Sequence, residues 1–361
     1  MEDLSEALER GVQTDILVLD FSKAFDKVSH SLLIHKLEHY GVRNHVNTWI
    51  ANFLSDRRQA VVVEGTQSAF SPVKSGVPQG SVLGPCLFLV YINDLPQKLS
   101  SPVRLFADDT ALTRKIITPN DPSQLQEDID LLTEWEHRWS MSFHPQKCSY
   151  LPVSRAKSPS TRQYSMHDHT MEQVSSTKYL GVTIQSDLSW SQHINQVSAK
   201  ANRTLAFLRR NLKTAPTGLK SKAYKALVRP LFEYTCTVWD PHTQKLVDQL
   251  EAVQRRAARF ALNDYRSTSS VSGMLSKLEW TPLQERRKCL RLSMLGKIIK
   301  NQVSVKSNLK PLPPRSRRGH SNQFQLVQCR TLYRQNSFFP RTIADWNALT
   351  QSELEGILNR L

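Results

Sequence analysis

No stretch of this 361-residue chain approaches the ~18 uninterrupted apolar residues of a membrane-spanning helix. The opening, MEDLSEALER, is acidic and polar and does not read as a secretory signal. Cysteine is sparse: Cys86, Cys148, Cys236, Cys289 and Cys329 are odd in number and far apart. There is no CxxC and no Cys/His cluster at zinc spacing, which argues against a disulfide framework and a zinc module. The thiols are expected to be reduced, mostly as ordinary buried residues. The protein is therefore expected in the nucleus or cytoplasm rather than outside the cell. No internal repeat and no basic amphipathic membrane anchor stands out, so no membrane partner is expected.

What the chain does have is charge, unevenly placed. Residues 1–150 carry 14 Lys/Arg against 19 Asp/Glu, a net of −5. The remainder carries 48 − 14 = 34 basic against 32 − 19 = 13 acidic residues, a net of +21. A solubilising charge has no reason to concentrate so heavily on one side. The second half is expected to hold a polyanion, and nucleic acid is favoured.

Apolar periodicity divides the chain in the same way. ILVLDF (16–21) reads as a buried strand ending near Asp20. SHSLLIHKLEHY (29–40) places Leu32, Leu33, Leu37 and Tyr40 at helical spacing before Gly41, and a second helix is expected over 45–54. RRQAVVVEG (57–65) reads as a strand turned back at Gly65 toward a partner near 69–74. For CLFLVYINDL (86–95) composition leaves helix and strand open. VRLFADDTALTRK (103–115) has the form of a hairpin with Asp108 and Asp109 at its tip. A helix is expected over 121–141, with Leu125, Ile129, Leu132, Trp135 and Trp139 on one face. Strands and turns follow over 147–184, with a Ser-rich piece near 154–162.

From about Trp190 basic helical segments take over. Ile194, Val197, Ala201, Leu205 and Leu208 form one apolar stripe with Lys200, Arg203, Arg209 and Arg210 off it. Leu246, Leu250, Val253, Ala257 and Phe260 repeat the pattern beside Arg255, Arg256 and Arg259. PLPPRSRRGHSN (311–322) is a linker by composition. The expected class is α+β, with a mixed unit over 1–190, a basic helical region over 191–300, and a linker and C-terminal tail over 301–361.

Adjacent carboxylates flanked by apolar residues need a reason to stay ionised, because like charge and desolvation both favour protonation. Taken singly, Asp108-Asp109 is an ordinary turn pair, and Asp20 a strand-terminal acid pairing with Lys23 or Lys27. Taken together they can meet at adjacent strand ends, where hard divalent cations with oxygen ligands would relieve the repulsion. Two such ions ~3.5–4 Å apart can clamp the attacking and leaving oxygens of a phosphoryl transfer.

These segments resemble a known family. LDFSKAFDKVSH (19–30), SGVPQGSVLGPCLFLVYINDL (75–95) and LFADDTAL (105–112) stand in the order and approximate spacing of reverse transcriptase palm motifs. They are most similar to those of non-LTR (LINE-like) retrotransposons. HPQKCSYLPVSR (144–155) and KYLGVTIQSDLSW (178–190) resemble the motifs that follow, and SFFPRTIADWNAL (337–349) is similar to a C-terminal tail of some such elements.

The resemblance implies an antiparallel palm sheet with packed helices, followed by a helical thumb. It implies that Asp20, Asp108 and Asp109 are catalytic metal ligands completed by the Phe21 carbonyl, for two Mg²⁺ ions, with Mn²⁺ as a substitute. Lys23, Ala24, Phe25, Gln79, Gly80 and Lys147 fall where the family contacts dNTP and template. Phe25 would collide with a 2′-hydroxyl and so favour deoxynucleotides, although an aromatic there also suits a core. Lys200, Arg203, Arg209, Arg210, Arg255, Arg256 and Arg259 would follow the nucleic-acid backbone. Asp26 is expected as a structural acid beside Lys27, and Asp94 as a local cap or pair. The implied reaction is RNA-directed DNA polymerisation, with an RNA template, a DNA primer and dNTPs. The fingers, the endonuclease, a ribonuclease H pattern and a zinc knuckle are not seen, so the alternative is a nucleic-acid-binding relic or domesticated derivative without catalysis.

Overall fold

A computed structural model describes residues 1–157, 159–160, 162–313, 320 and 322–361. In chain order it runs through helix Glu2–Glu9 (α1), strand Gln13–Leu19 (β1) and helices Ala24–Lys27 (α2), His30–His39 (α3) and Asn44–Leu54 (α4). Four two-residue strands follow, Arg58–Gln59 (β2), Val62–Val63 (β3), Thr66–Gln67 (β4) and Ser71–Pro72 (β5). Next come helix Leu83–Ile92 (α5), strands Val103–Phe106 (β6) and Asp109–Ile116 (β7), helix Asp121–Trp139 (α6) and strand Ser149–Val153 (β8). Short strands occupy Ser165–Met166 (β9), His169–Thr170 (β10), Glu172–Gln173 (β11), Ser176–Tyr179 (β12) and Val182–Gln185 (β13). The chain then becomes helical: Ser191–Asn211 (α7), Thr217–Leu227 (α8), Arg229–Glu233 (α9), Cys236–Trp239 (α10), Gln244–Leu262 (α11), Val271–Lys277 (α12), Leu283–Ile299 (α13), Leu332–Gln335 (α14), Phe338–Asn347 (α15) and Gln351–Leu358 (α16). Two units result: Gly11–Gly181, and Val182–Leu361 together with Met1–Arg10.

In the first unit β1 lies at the centre of a five-stranded sheet ordered β11-β8-β1-β7-β6. A strand covered on both faces needs a continuous apolar run, and Ile16, Leu17 and Leu19 are accordingly buried. Its pairings with β7 and β8 are antiparallel; only the short edge strand β11 runs parallel to its neighbour. The α+β class and the antiparallel centre match the expectation. Composition left residues 86–95 open; residues 86–92 belong to α5, with Leu87, Phe88, Tyr91 and Ile92 buried, and Leu95 opens a separate short helical turn. The single strand expected over 57–65 is instead two fragments, β2 pairing with β5 and β3 with β4. Val61, Val62 and Val63 are 63–65 % exposed, so no burial holds a longer strand there.

The packing corrects three other expectations. Only Cys148 and Cys236 are buried, while Cys86 and Cys289 are exposed; all five thiols are free. Asp94 pairs with Lys36 at 2.7 Å and accepts from Trp135 Nε1 at 3.0 Å, both distant in sequence. The Lys36 ammonium stands 3.5 Å from the centre of the Trp139 ring, in a cage of aromatics that sequence spacing does not announce. Asp26 takes Gln79, not Lys27, as its partner.

In the second unit α7 and α11 run side by side in parallel. Gln249 donates to Asn195 and Arg256 to Asn202, both at 2.9 Å and both 54 residues apart. Between them lie Ala201, Leu205 and Leu208 with Leu250, Val253 and Ala257. A further core joins Leu292, Leu295 and Ile298 of α13 to Phe339, Ile343 and Trp346 of α15 and Leu354 of α16. Of the compositional linker at 311–322, residues 314–319 and 321 lie outside the described residues, as do residues 158 and 161 of the Ser-rich piece.

Candidate active site

β1 and β7 end together. Their last pair is Leu19 with Thr110, so one further step along the ladder sets Asp20 across from Asp109. Phe106 pairs with Asp109 across the hairpin, and Ala107 takes a φ of 51° to turn the chain and present Asp108. The three carboxylates nominated from the sequence thus meet at one edge of the sheet. The Asp109 carboxyl is pushed above the ordinary range, first by partial burial and then by the charges of Asp108 and Asp20.

Asp20 is fixed from the other side. Its carbonyl accepts the His144 N–H at 2.7 Å, and Ser22 donates to the Ser142 carbonyl at 2.8 Å. Phe21 bridges Phe143, and their rings stack with centroids 4.2 Å apart. The turn at 144–148 that follows carries Lys147, whose ammonium lies 3.3 Å from Asp20. Tyr179 completes the neighbourhood; burial and then the Asp109 charge raise its phenol. Neither the Lys147 pairing nor Tyr179 follows from local sequence, because both depend on strands brought in from after residue 140.

A second layer holds the segment Lys23–Lys27 against the PQG turn. Val77 donates to the Phe25 carbonyl and Gly76 to that of Val28, each at 2.8 Å. Ser75 Oγ donates to the Asp26 carbonyl at 2.8 Å, and Gln79 Nε2 to the Asp26 carboxylate at 3.1 Å. Gly76 has a φ of +90°, and a Cβ there would meet Asp26 and Phe25 backbone atoms at 2.8 Å. A Cβ on Gly84 would lie 2.3 Å from the Pro78 carbonyl oxygen, so α5 sits directly on the same turn. Gly80, singled out from the sequence, faces open space. Phe25 stacks on Phe88 with ring centroids 4.5 Å apart, Ala24 is buried in the core, and Lys23 is exposed in a left-handed conformation.

The seven basic residues nominated from the second half are on α7 and α11. All are exposed except Arg259, which is half-buried. Arg256 holds Asn202, Arg259 donates to the Arg266 carbonyl at 2.7 Å, and Arg209 lies over the Tyr265 ring.

The reverse transcriptase (RNA-dependent DNA polymerase) family matches residues 3–184, half of the chain, and the chain belongs to that family. Its relatives mark it as LINE-like, of the non-LTR retrotransposon kind. It is 28% identical over 267 residues to the RNA-directed DNA polymerase from mobile element jockey of Drosophila melanogaster, covering 70% of this chain and 29% of that protein. It is 31% identical over 261 residues to a probable RNA-directed DNA polymerase from transposon BS of the same fly, covering 67% and 28%. The chain thus spans less than a third of the length of these relatives. Among solved structures it is similar to apo telomerase from Candida Tropicalis, with 9% identity and a TM-score of 0.42 over 85% of this chain and 55% of that one.

Members of this family generally use divalent metal ions. Three carboxylates with a raised Asp109 are an oxygen-only donor set short of positive charge, which suits a hard cation. Among the described residues, no three acidic, His or Cys side chains are drawn together closely enough to hold an ion as they stand.

Proposed function

We propose that this chain carries the palm (1–190) and thumb (191–300) of an RNA-directed DNA polymerase, with residues 301–361 as a linker and C-terminal tail. The observation that carries the reading is the convergence of Asp20, Asp108 and Asp109 at one sheet edge, with Asp109 raised by its two neighbours. These carboxylates and the Phe21 carbonyl would hold two Mg²⁺ ions. Such ions, when bound, polarise an attacking hydroxyl and stabilise a leaving pyrophosphate.

The chain's own groups do the positioning, which supplies most of the rate in phosphoryl transfer. The β1 and β7 ends hold the carboxylates in register, and the Phe21–Phe143 stack fixes the backbone beside Asp20. Lys147 holds Asp20 in the absence of substrate and is placed to exchange that contact for a triphosphate oxygen. Gln79 and Gly80 line an open face where base and template can lie, and the Phe25 ring, braced flat on Phe88, excludes a 2′-hydroxyl. A primed RNA template and dNTPs are the substrates.

The test is extension of a DNA primer on an RNA template, with Mg²⁺ and Mn²⁺ varied. Metal-dependent extension that disappears in Asp108→Asn supports the reading; absence of extension from folded protein overturns it. A nucleic-acid binder without catalysis is the second reading. It is favoured by the Asp20–Lys147 pair, which already neutralises one of the three acids. Salt-sensitive binding without any dNTP incorporation would establish it.

A further inference from the structure

The seven cations nominated on α7 and α11 are not equivalent in the folded chain. Four have work within the protein. Arg209 covers Tyr265, Arg255 donates to the Asp248 carbonyl, Arg256 to Asn202, and Arg259 to the Arg266 carbonyl. The remaining three, Lys200, Arg203 and Arg210, make no side-chain bond or ion pair among the described residues and are exposed. They are spaced 3 and 7 residues apart, which on a helix of 3.6 residues per turn aligns them on one face. The position that completes the 3-4-3 spacing is Phe207, whose side chain lies on that face and is 53 % exposed. An apolar ring left in water between three unpaired cations is not explained by the core beneath, which uses Ala201, Leu205 and Leu208 instead.

Acidic residues are absent from the surrounding sequence. From Leu188 to Phe232 there is no Asp or Glu, while Lys200, Arg203, Arg209, Arg210, Lys213, Lys220, Lys222, Lys225 and Arg229 fall inside it. This stretch therefore supplies no counter-charge of its own to the face.

We infer that Lys200, Arg203, Phe207 and Arg210 form a binding track for single-stranded nucleic acid, with Phe207 as the platform on which one base stacks. The three cations span ten residues, roughly 15 Å of helix axis, which matches about four phosphates of a stacked strand at ~3.4 Å per residue. A duplex keeps its bases paired and inward, and so offers the Phe207 ring nothing to stack on. A single strand offers a base face at any sequence, so the track is tolerant of sequence. The inference extends the nucleic-acid reading of the second unit and does not require the carboxylate site to be active.

The test is fluorescence anisotropy on the full chain, without metal or dNTP, using a labelled 16-nucleotide RNA of mixed sequence and its hybrid with complementary DNA. Phe207→Ala is expected to weaken binding of the single strand about tenfold and that of the hybrid less than twofold, with Phe207→Trp retaining wild-type affinity. Replacing Lys200, Arg203 and Arg210 together by Gln should reduce the slope of log K against log salt by about 2, three contacts at ~0.7 each. Photocrosslinking through 5-iodouracil in the same RNA should mark the peptide that contains Phe207. Phe207 is exposed, so unchanged melting of the variants is expected and is checked first. Equal loss for strand and hybrid in Phe207→Ala, or no loss for either, overturns the inference. Primer extension is measured separately, so failure of the polymerase reading leaves this result unaffected.

Discussion

Around Asp109 three carboxylates gather with a single lysine, whereas around Asp240 three guanidiniums gather with two carboxylates. The first cluster is open to solvent, and the Asp20 side chain is 40 % exposed. The second is sealed. Arg287 and Arg291 donate to Asp240 at 2.7 and 2.9 Å, Arg341 approaches it at 3.4 Å, and the Asp240 side chain is 3 % exposed. Arg291 also reaches Asp345 at 2.9 Å, tying α10, α13 and α15 together. A buried ion pair must be balanced by the protein itself, because water cannot help. An open cluster can be left unbalanced for a ligand to complete. The sealed cluster is therefore assigned to stability and the open one to function, and each assignment can be broken separately.

The largest effect is expected in the sealed cluster. Asp240→Asn leaves three guanidiniums facing a neutral amide, and should cost about 3–5 kcal/mol in urea unfolding. A cost below 1 kcal/mol would mean that water enters the cluster and that it differs little from the open one. Gly76→Ala should cost less, about 2 kcal/mol, since the new Cβ meets backbone at 2.8 Å and φ is +90°. That change leaves every charge in place, so loss of primer extension beyond the loss of folded protein would show that the open cluster depends on its rigid frame. At the carboxylates themselves the sign reverses. Asp109→Asn removes repulsion and should raise the stability slightly, by no more than ~0.5 kcal/mol at so exposed a site, while abolishing extension. Lys147→Met should lower it by a similar small amount, and equal signs for the two variants would refute the repulsion account.

The open cluster was legible in the sequence and the sealed one was not. Asp20 stands at the end of an apolar run and Asp108-Asp109 at the tip of a hairpin, so adjacent strand ends could bring them together, and the resemblance to reverse transcriptase motifs singled them out as one set. Residues 86–95 were ambiguous because a helix buried on most sides and a buried strand share a composition, and only the packing of Phe88 and Tyr91 decides. Asp240 has no local pattern; its partners lie 47 to 101 residues away and are gathered by two helices, α13 and α15. The importance of Gly76 over Gly80 was equally hidden, since both occur in one turn-rich segment and only the approach of Asp26 separates them. Periodicity reports which face is buried, but not which distant side chain arrives there.

The smallest effect is a pH dependence that differs in sign between the two units. The folded-state pKa of Asp109 is raised from 3.8, so the folded chain holds that proton to higher pH than the unfolded chain does. Its contribution is fully present below about 3.8 and is lost as pH rises through the raised folded value. Glu353, which closes the capping box of α16 with Thr350, is lowered from 4.5 by its bonds to the Thr350 backbone and hydroxyl. Its contribution is present above 4.5 and is lost as pH falls through the lowered folded value. Melting curves recorded from pH 3 to pH 7 should therefore show Asp109→Asn gaining on the wild type as pH rises. Glu353→Gln should fall behind over the same direction of change. Millimolar Mg²⁺ at pH 7 should close the first gap, by offsetting the charge that the substitution removes, and leave the second untouched. A metal-insensitive first gap would place the excess negative charge of the open cluster outside the reach of a cation, and with it the proposed use of Asp20, Asp108 and Asp109.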